Sequence, residues 1–402
     1  MRLIFQNQTA PWDSLASEEA GFFSGSSNLQ FFEWAINLGK TKVLCLQKFG
    51  TVGGAEIDLF RIIRSFGESF SFSIIGEGKG KFFDMVRKEG VNVVPFDLPD
   101  WRKGKNLLSR YLRRKQLESV IKNETNQEYS ILYVNDFFYA PYGVSLGRAL
   151  GIPVIVHIRS DCDPKRIVQY HLDRASILIA PTNVLSERLS AAIKTGTRVL
   201  YIPHGVPSPS LTSSPPDKTI ALPVRFGVVA NLLEHKGFDT LLKACSLLKG
   251  LPGWKLKWIG GDPKGIRPML EKRVEEELIS DRIGFLPFQE DLSLFYQGMD
   301  CLVHPSLFEP FGLSMIEALS YGVPVISGDT VGGKEIFGDG KAGWLFPIHE
   351  YKILAAIMKM IITDPGLLQS KSHEALTKYA ERFHWDHYIK EMRFAFELCM
   401  TQ

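Results

Sequence analysis

The sequence predicts an α/β protein of two doubly wound, Rossmann-like domains that face each other across a cleft. Three observations lead there. Short β-branched runs alternate with helical stretches along the whole chain. A Pro- and Ser-rich segment divides those runs into two sets. The 402 residues are too many for one ordinary domain and suit two of roughly 180 each.

In the first set, "TKVLCLQ" (41–47), "SFSIIG" (71–76), "VNVVPF" (91–96), "SILYVN" (130–135), "PVIVHI" (153–158), "SILIAP" (176–181) and "TRVLYIP" (197–203) read as buried strands. "GVPSPSLTSSPPDKTIALP" (205–223) then reads as the interdomain linker. The second set is "VRFGVVA" (224–230), "WKLKWIG" (254–260), "DRIGFLP" (281–287), "DCLVHPS" (300–306), "VPVISG" (323–328) and "GWLFP" (343–347). The expected organisation is therefore an extension of no assigned fold at 1–40, a domain at 41–205, a linker at 206–223, a second domain at 224–380 and a terminal helix at 381–402. The extension carries Trp12, Phe22, Phe23, Phe31, Phe32 and Trp34 and is expected to dock on something. Ligands of such sheets bind at the carboxyl ends of the strands, which places them in the cleft.

Composition narrows the classes. With 47 basic and 44 acidic residues the net charge is +3, so there is no global nucleic-acid signal. Five cysteines without a C-x-x-C pair read as reduced core thiols of a cytosolic protein. The start "MRLIFQNQTAPWD" lacks the apolar stretch of a signal peptide, and no run approaches the roughly 18 apolar residues of a spanning helix. A cytoplasmic protein is expected, at most attached to the inner face of a membrane.

The chemistry concentrates in "HPSLFEPFGLSMIEALSYGVPVIS" (304–327). "GLSMIEALSYG" reads as a helix that begins at about Phe311–Gly312, with Pro310 tolerated at its start and Gly322 ending it. The exposed amides of Phe311, Gly312 and Leu313, with the positive end of the helix dipole, form an anion site. Glu309 precedes that start and Glu317 lies eight residues on, near the second turn. A carboxylate accepts two hydrogen bonds side by side and suits a vicinal diol. Amides for phosphate and carboxylates for hydroxyls together describe a nucleotide-sugar site.

This segment resembles the E-x7-E signature of the family 4 retaining glycosyltransferases (glycosyl transferases group 1), which have the GT-B fold. By order of motifs the resemblance runs over about residues 42–390 and is most specific at 301–336. It implies that Glu317 holds the ribose hydroxyls of a nucleoside-diphosphate sugar, that Glu309 contacts the donor sugar, and that the amides between them touch sugar and phosphate. The first domain would then face the acceptor, a glycan or lipid-linked glycan, in polysaccharide biosynthesis. GT-B enzymes generally need no metal or other cofactor. The last helix of this fold, here "ERFHWDHYIKEMRFAFELCM" (381–400), crosses back to the first domain.

Other segments take roles by the same likeness. In "VVANLLEHKGFDTLLKA", Lys236 with Gly237 sits at a strand-to-helix turn, where a cation can neutralise a departing diphosphate. The family has an arginine shortly before this lysine. Here the positions read Asn231, Leu232, Leu233, Glu234 and His235, so either Lys236 suffices or Asn231 and other donors share the task. Gly332 and Gly333 of "VGGKEIFGDGKAGWLF" are expected in a loop that approaches the donor sugar. Gly284, Phe285 and Leu286 are expected to border the base. Gly53 and Gly54 lie in a cleft-facing loop whose spacing fails the dinucleotide G-x-G-x-x-G. His157, at a strand end, is expected in the cleft as the histidine that contacts the donor sugar, with Arg159 as an acceptor or phosphate contact. Asp161 and Asp163 read as loop acids, since metal-holding D-x-D pairs belong to the other glycosyltransferase architecture. "WRKGKNLLSRYLRRKQLESVIK" (101–122) reads either as a membrane-surface helix or as a basic surface helix packed by its apolar side. A nucleotide-sugar epimerase, or a non-catalytic sugar- or nucleotide-binding protein of the same fold, is the alternative.

Overall fold

A computed structural model describes residues 40–98, 107–124, 128–209 and 222–401. Residues 1–39 of the expected extension, the middle of the linker and residues 101–106 of the basic segment lie outside the described residues.

Among the described residues thirteen strands form two sheets in which every paired neighbour is parallel. The first contains β1 (Thr41–Leu46), β2 (Phe70–Gly76), β3 (Asn92–Pro95), β4 (Ile131–Val134), β5 (Val154–His157), β6 (Ile177–Ala180) and β7 (Arg198–Tyr201), in the order β3-β2-β1-β4-β5-β6-β7. The second contains β8 (Val224–Val229), β9 (Trp254–Ile259), β10 (Ile283–Leu286), β11 (Cys301–His304), β12 (Val325–Gly328) and β13 (Gly343–Phe346), in the order β10-β9-β8-β11-β12-β13. Each lies within a residue or two of a run expected from sequence. A parallel sheet covered by helices on both faces needs apolar side chains on both, hence the near-continuous hydrophobic runs. Each sheet reverses direction of growth once, between β1 and β4 and between β8 and β11, where the strand ends open a crevice.

Four helices position the site: α1 (Gly54–Phe66), α2 (Leu313–Ser320), α3 (Val331–Phe337) and α4 (Trp385–Met400). The last of these belongs by sequence to the second half of the chain but packs on the first sheet. Its buried residues Tyr388, Met392, Ala395, Phe396 and Cys399 recur every three or four positions, one helical stripe. Phe396 packs edge-on against Phe66 at 5.2 Å and Phe70 at 5.6 Å between ring centroids. The chain therefore crosses between domains twice, and the crossings touch. Val206 donates its N–H to the carbonyl of Phe383 at 2.9 Å, and a Cβ on Gly205 would fall 2.6 Å from that of Tyr388.

The basic segment is helical over Leu107–Glu124, with Leu117 and Ile121 buried in the first core and Tyr111 and Leu112 exposed. Among the described residues no single helix is long and apolar enough to cross a membrane. All five cysteines are buried and free.

Candidate active site

The two sheets face a cavity of about 550 Å³. The first domain contributes Gly53, Gly54, Arg61, Lys81, Arg159 and His204; the second contributes Asn231, Lys236, Glu309, Phe311, Gly312, Leu313 and Glu317. Most residues singled out in the sequence thus meet on one surface.

Gly312 caps α2 with φ 104°, a left-handed conformation, and a Cβ there would fall 2.2 Å from Met315 Cε. Gly312, Leu313 and Ser314 at that bend line the cavity, and the first amides of a helix lack a carbonyl in a preceding turn. Glu309, before the bend, accepts from Lys236 Nζ at 2.7 Å and lies 3.1 Å from His304 Nε2. Burial acts to raise the Glu309 carboxyl, but the hydrogen bond from His304 and the Lys236 ammonium outweigh it and hold it at about 2. Glu317, one turn inside α2, differs. Tyr296 donates to it at 3.0 Å, but its cationic neighbour, Arg61 of α1, stands 3.9 Å away across the cleft. Burial therefore raises its pKa, only partly offset by Arg61 and Tyr296.

On the opposite wall, Arg159 is almost fully buried and bonds the buried Asp58 carboxylate at 2.5 Å, which also accepts from Tyr388 of α4 at 2.7 Å. Asn135 Oδ1 takes a second guanidinium nitrogen at 2.7 Å. Asn231 Oδ1 accepts from the Gly261 amide at 2.9 Å, which fixes its loop.

Three expectations need correction. His157 does not reach the cleft. It is the last residue of β5 and shares a side of the sheet with Ile155, the side α4 covers, because strand side chains alternate. Its ring is fully buried, with Nδ1 2.8 Å from Tyr133 Oη, and stacks at 5.2 Å on His204. His204 is the histidine that lines the cavity, edge-on to Phe311. Burial lowers its pKa to about 4, against the pull of Asp58. Gly332 and Gly333 do not lie in a loop; they are buried in the first turn of α3. The Gly332 amide donates to the Glu309 carbonyl at 3.0 Å, and a Cβ on Gly332 would lie 2.0 Å from the Phe311 carbonyl oxygen. Phe285 and Leu286 stand behind the rim with their carbonyls bonded by Arg267 at 3.3 and 3.0 Å; Phe288 and Glu290 line the cavity in their place.

Asp161 pairs with Arg188 at 2.7 Å, and Asp163 caps the helix Pro164–Gln169. Sequence reasoning missed Asp58, Arg61, Lys81, His204 and His304. Asp58 left one signal, a carboxylate four residues before Ile62 on the apolar stripe of α1. Arg61 and Lys81 depend on approach between domains, which no local pattern records, whereas His304 stands only five residues before its partner Glu309.

Residues 222–383 match the family Glycosyl transferases group 1. The chain is 30% identical over 151 residues to a lipopolysaccharide core biosynthesis glycosyltransferase of Rhizobium meliloti, spanning 37% of this chain and 43% of that one. It is 29% identical over 249 residues to a D-inositol 3-phosphate glycosyltransferase of Mycolicibacterium smegmatis, 58% and 55% of the two chains. These matches span about half the length of the relatives. Among solved structures, Anabaena HepE in complex with UDP superposes with TM-score 0.74 at 20% identity, covering 89% of this chain and all of that one. Sucrose-phosphate synthase of Thermosynechococcus elongatus gives 0.71 at 17% identity, over 90% and 100%. With two parallel sheets facing one cleft, and solved structures of that architecture superposing over about nine-tenths of it, the chain has the GT-B fold, and the second of its domains carries the match to Glycosyl transferases group 1.

Proposed function

We propose that the protein is a retaining glycosyltransferase that moves a sugar from a nucleoside-diphosphate donor to a hydroxyl of a glycan or lipid-linked acceptor, without a metal. The supporting observation is that Glu309, the amides at the start of α2, Glu317 and Lys236 converge on one cavity. In this reading the ribose diol binds Glu317 and the diphosphate sits on the first amides of α2 beside Lys236. The bond from the anomeric carbon to the diphosphate oxygen breaks as the acceptor oxygen bonds the same face of that carbon, and the acceptor proton passes to the departing phosphate. Negative charge grows on the diphosphate, where fixed dipoles and an ammonium are most effective. Glu309, ionised at any physiological pH, orients Lys236 and accepts from sugar hydroxyls. The complex of HepE with UDP-glucose supports a uridine nucleotide as donor here, and the names of the curated relatives support a glycan or a small phosphorylated polyol as acceptor. We further place the protein in the cytoplasm, where exposed Tyr111 and Leu112 of the basic helix suit contact with an anionic membrane carrying the acceptor.

Thermal-shift screening of UDP, GDP and ADP, then of the matching sugar nucleotides, tests the donor. Loss of one removed donor of charge stabilisation costs about 100-fold or more in turnover, so Lys236→Ala and Glu317→Ala should both lose sugar transfer or donor hydrolysis. Full activity in both variants would remove the assignment. NMR of a donor incubated without acceptor separates transfer from epimerisation.

A further inference from the structure

The charges of the cleft cancel before any ligand arrives. Among the described residues four cations line it, Arg61, Lys81, Arg159 and Lys236, and each has a carboxylate. Lys236 is held by Glu309 at 2.7 Å and Arg159 by Asp58 at 2.5 Å. Lys81 pairs with Glu290 at the rim. A nucleoside diphosphate would add at least two negative charges to a site already neutral, and buried charge without a partner is costly. One of the four must change partners.

Their geometry singles out one. Arg159 is sealed in a network with Asp58, Asn135 and Tyr133. Lys236 cannot leave Glu309 without exposing a buried carboxylate. Lys81 stands at the rim beside Glu290, both half or more exposed. Arg61 is different: its contact with Glu317 is 3.9 Å, too long for a hydrogen bond, and about a third of its side chain is exposed. Moreover, Glu317 is the carboxylate that a ribose diol would occupy.

We propose that Arg61 is a further catalytic residue, which exchanges Glu317 for the diphosphate when a nucleotide binds. The inference rests on the nucleotide-sugar reading above. The ribose takes the oxygens of Glu317, and the released guanidinium swings toward the start of α2. Helical side chains lean toward their own N-terminus. For Arg61 that is the Gly54 end of α1, where a Cβ on Gly54 would fall 3.0 Å from Leu313 Cδ1 of the diphosphate-binding turn. The guanidinium fork matches phosphate oxygens two at a time. Because Arg61 rides on the first domain and the amides belong to the second, its contact forms only in the closed cleft, so charge stabilisation and closure become one event.

Calorimetry on the full chain tests this, with UDP against UMP, GDP against GMP and ADP against AMP, in wild type, Arg61→Ala and Arg61→Lys. A charge-assisted bidentate contact to the outer phosphate predicts that Arg61→Ala weakens the diphosphate about tenfold or more relative to the monophosphate. Arg61→Lys, keeping a cation, should recover part of that discrimination. Circular dichroism and the melting temperature confirm that both variants fold. Two results overturn the proposal: equal losses for diphosphate and monophosphate, or tighter diphosphate binding in Arg61→Ala, which would make Arg61 merely a competitor for Glu317. Failure of every nucleotide to bind wild type would instead overturn the nucleotide-sugar reading, and this exchange with it.

Discussion

Lys236 and Glu309 provide the most quantitative test of the cleft's electrostatics. The Glu309 carboxyl is held at about 2 in the fold against 4.5 as its ordinary value. At roughly 1.4 kcal/mol per tenfold change, that gap is worth about 3 kcal/mol of stability at neutral pH. The sign follows from a depressed folded pKa: the contribution is complete above 4.5 and is lost as pH falls through 2. Lys236→Met removes the ammonium and leaves His304. With side chains 21% and 13% exposed, the pair lies between a surface pair, worth about 0–1 kcal/mol, and a buried one, whose breakage costs about 3–5. A coupling of about 2 kcal/mol is expected at pH 7 from the cycle Lys236→Met, Glu309→Gln and the double variant. Urea unfolding followed by tryptophan fluorescence measures it, since Trp254 and Trp258 are buried in this domain. At pH 3 wild-type Glu309 stays ionised, whereas in Lys236→Met its pKa rises and it takes up a proton, so the penalty must shrink. A coupling below about 0.5 kcal/mol at pH 7, or a penalty unchanged at pH 3, refutes the account.

Three further outcomes follow from the same geometry. Glu317→Gln should weaken nucleotide binding while leaving the melting temperature equal or higher, because it removes a partly exposed carboxylate whose pKa its partial burial has raised; a large loss of stability would show that Glu317 is structural. Gly332→Ala should cost about 3 kcal/mol or more, since its Cβ would stand 2.0 Å from the Phe311 carbonyl and only backbone movement could relieve it; differential scanning calorimetry decides. His204, with its pKa lowered by burial to about 4, should remain neutral in histidine NMR titrations well below pH 6.5. The unfolded chain protonates first, so His204 withdraws stability as pH falls from 6.5 toward 4, and a midpoint near 6.5 would contradict its enclosure.

The strands were legible because each is buried on both faces and must be apolar throughout, a demand local enough to see in a run such as "ILYV". Glu309, Gly312 and Glu317 were legible because one short bend carries all three. His157 misled for a reason of parity: a strand end points at the cleft, but its last side chain points wherever alternation sends it. Shifted by one position, the residue would have faced another layer. Gly332 and Gly333 misled because close backbone approach and ligand approach leave the same mark in sequence. Arg61 and Lys81 stayed invisible because their partners lie more than 200 positions away on the other domain.

Those distant pairs also bear on how the cleft closes. Arg61–Glu317 and Lys81–Glu290 span the opening between partly exposed side chains, and such contacts contribute about 0–1 kcal/mol each. They can be broken by thermal motion, as a site that must admit substrate requires. The contact at Glu335 is of another kind. Its side chain is 7% exposed, accepts from the Asn183 amide at 2.9 Å and the Tyr201 hydroxyl at 2.6 Å, both of the first domain, and bonds Arg382 at 3.1 Å beside the second crossing. Glu335 lies on α3, whose Gly332 presses on the backbone of Phe311. One short helix therefore touches the first domain with one turn and supports the bend at Gly312 with another. A rotation that opened the rim while Glu335 held would pivot about α3 and leave the bend at Gly312 intact, so the anion site stays formed while the cations of the first domain come and go.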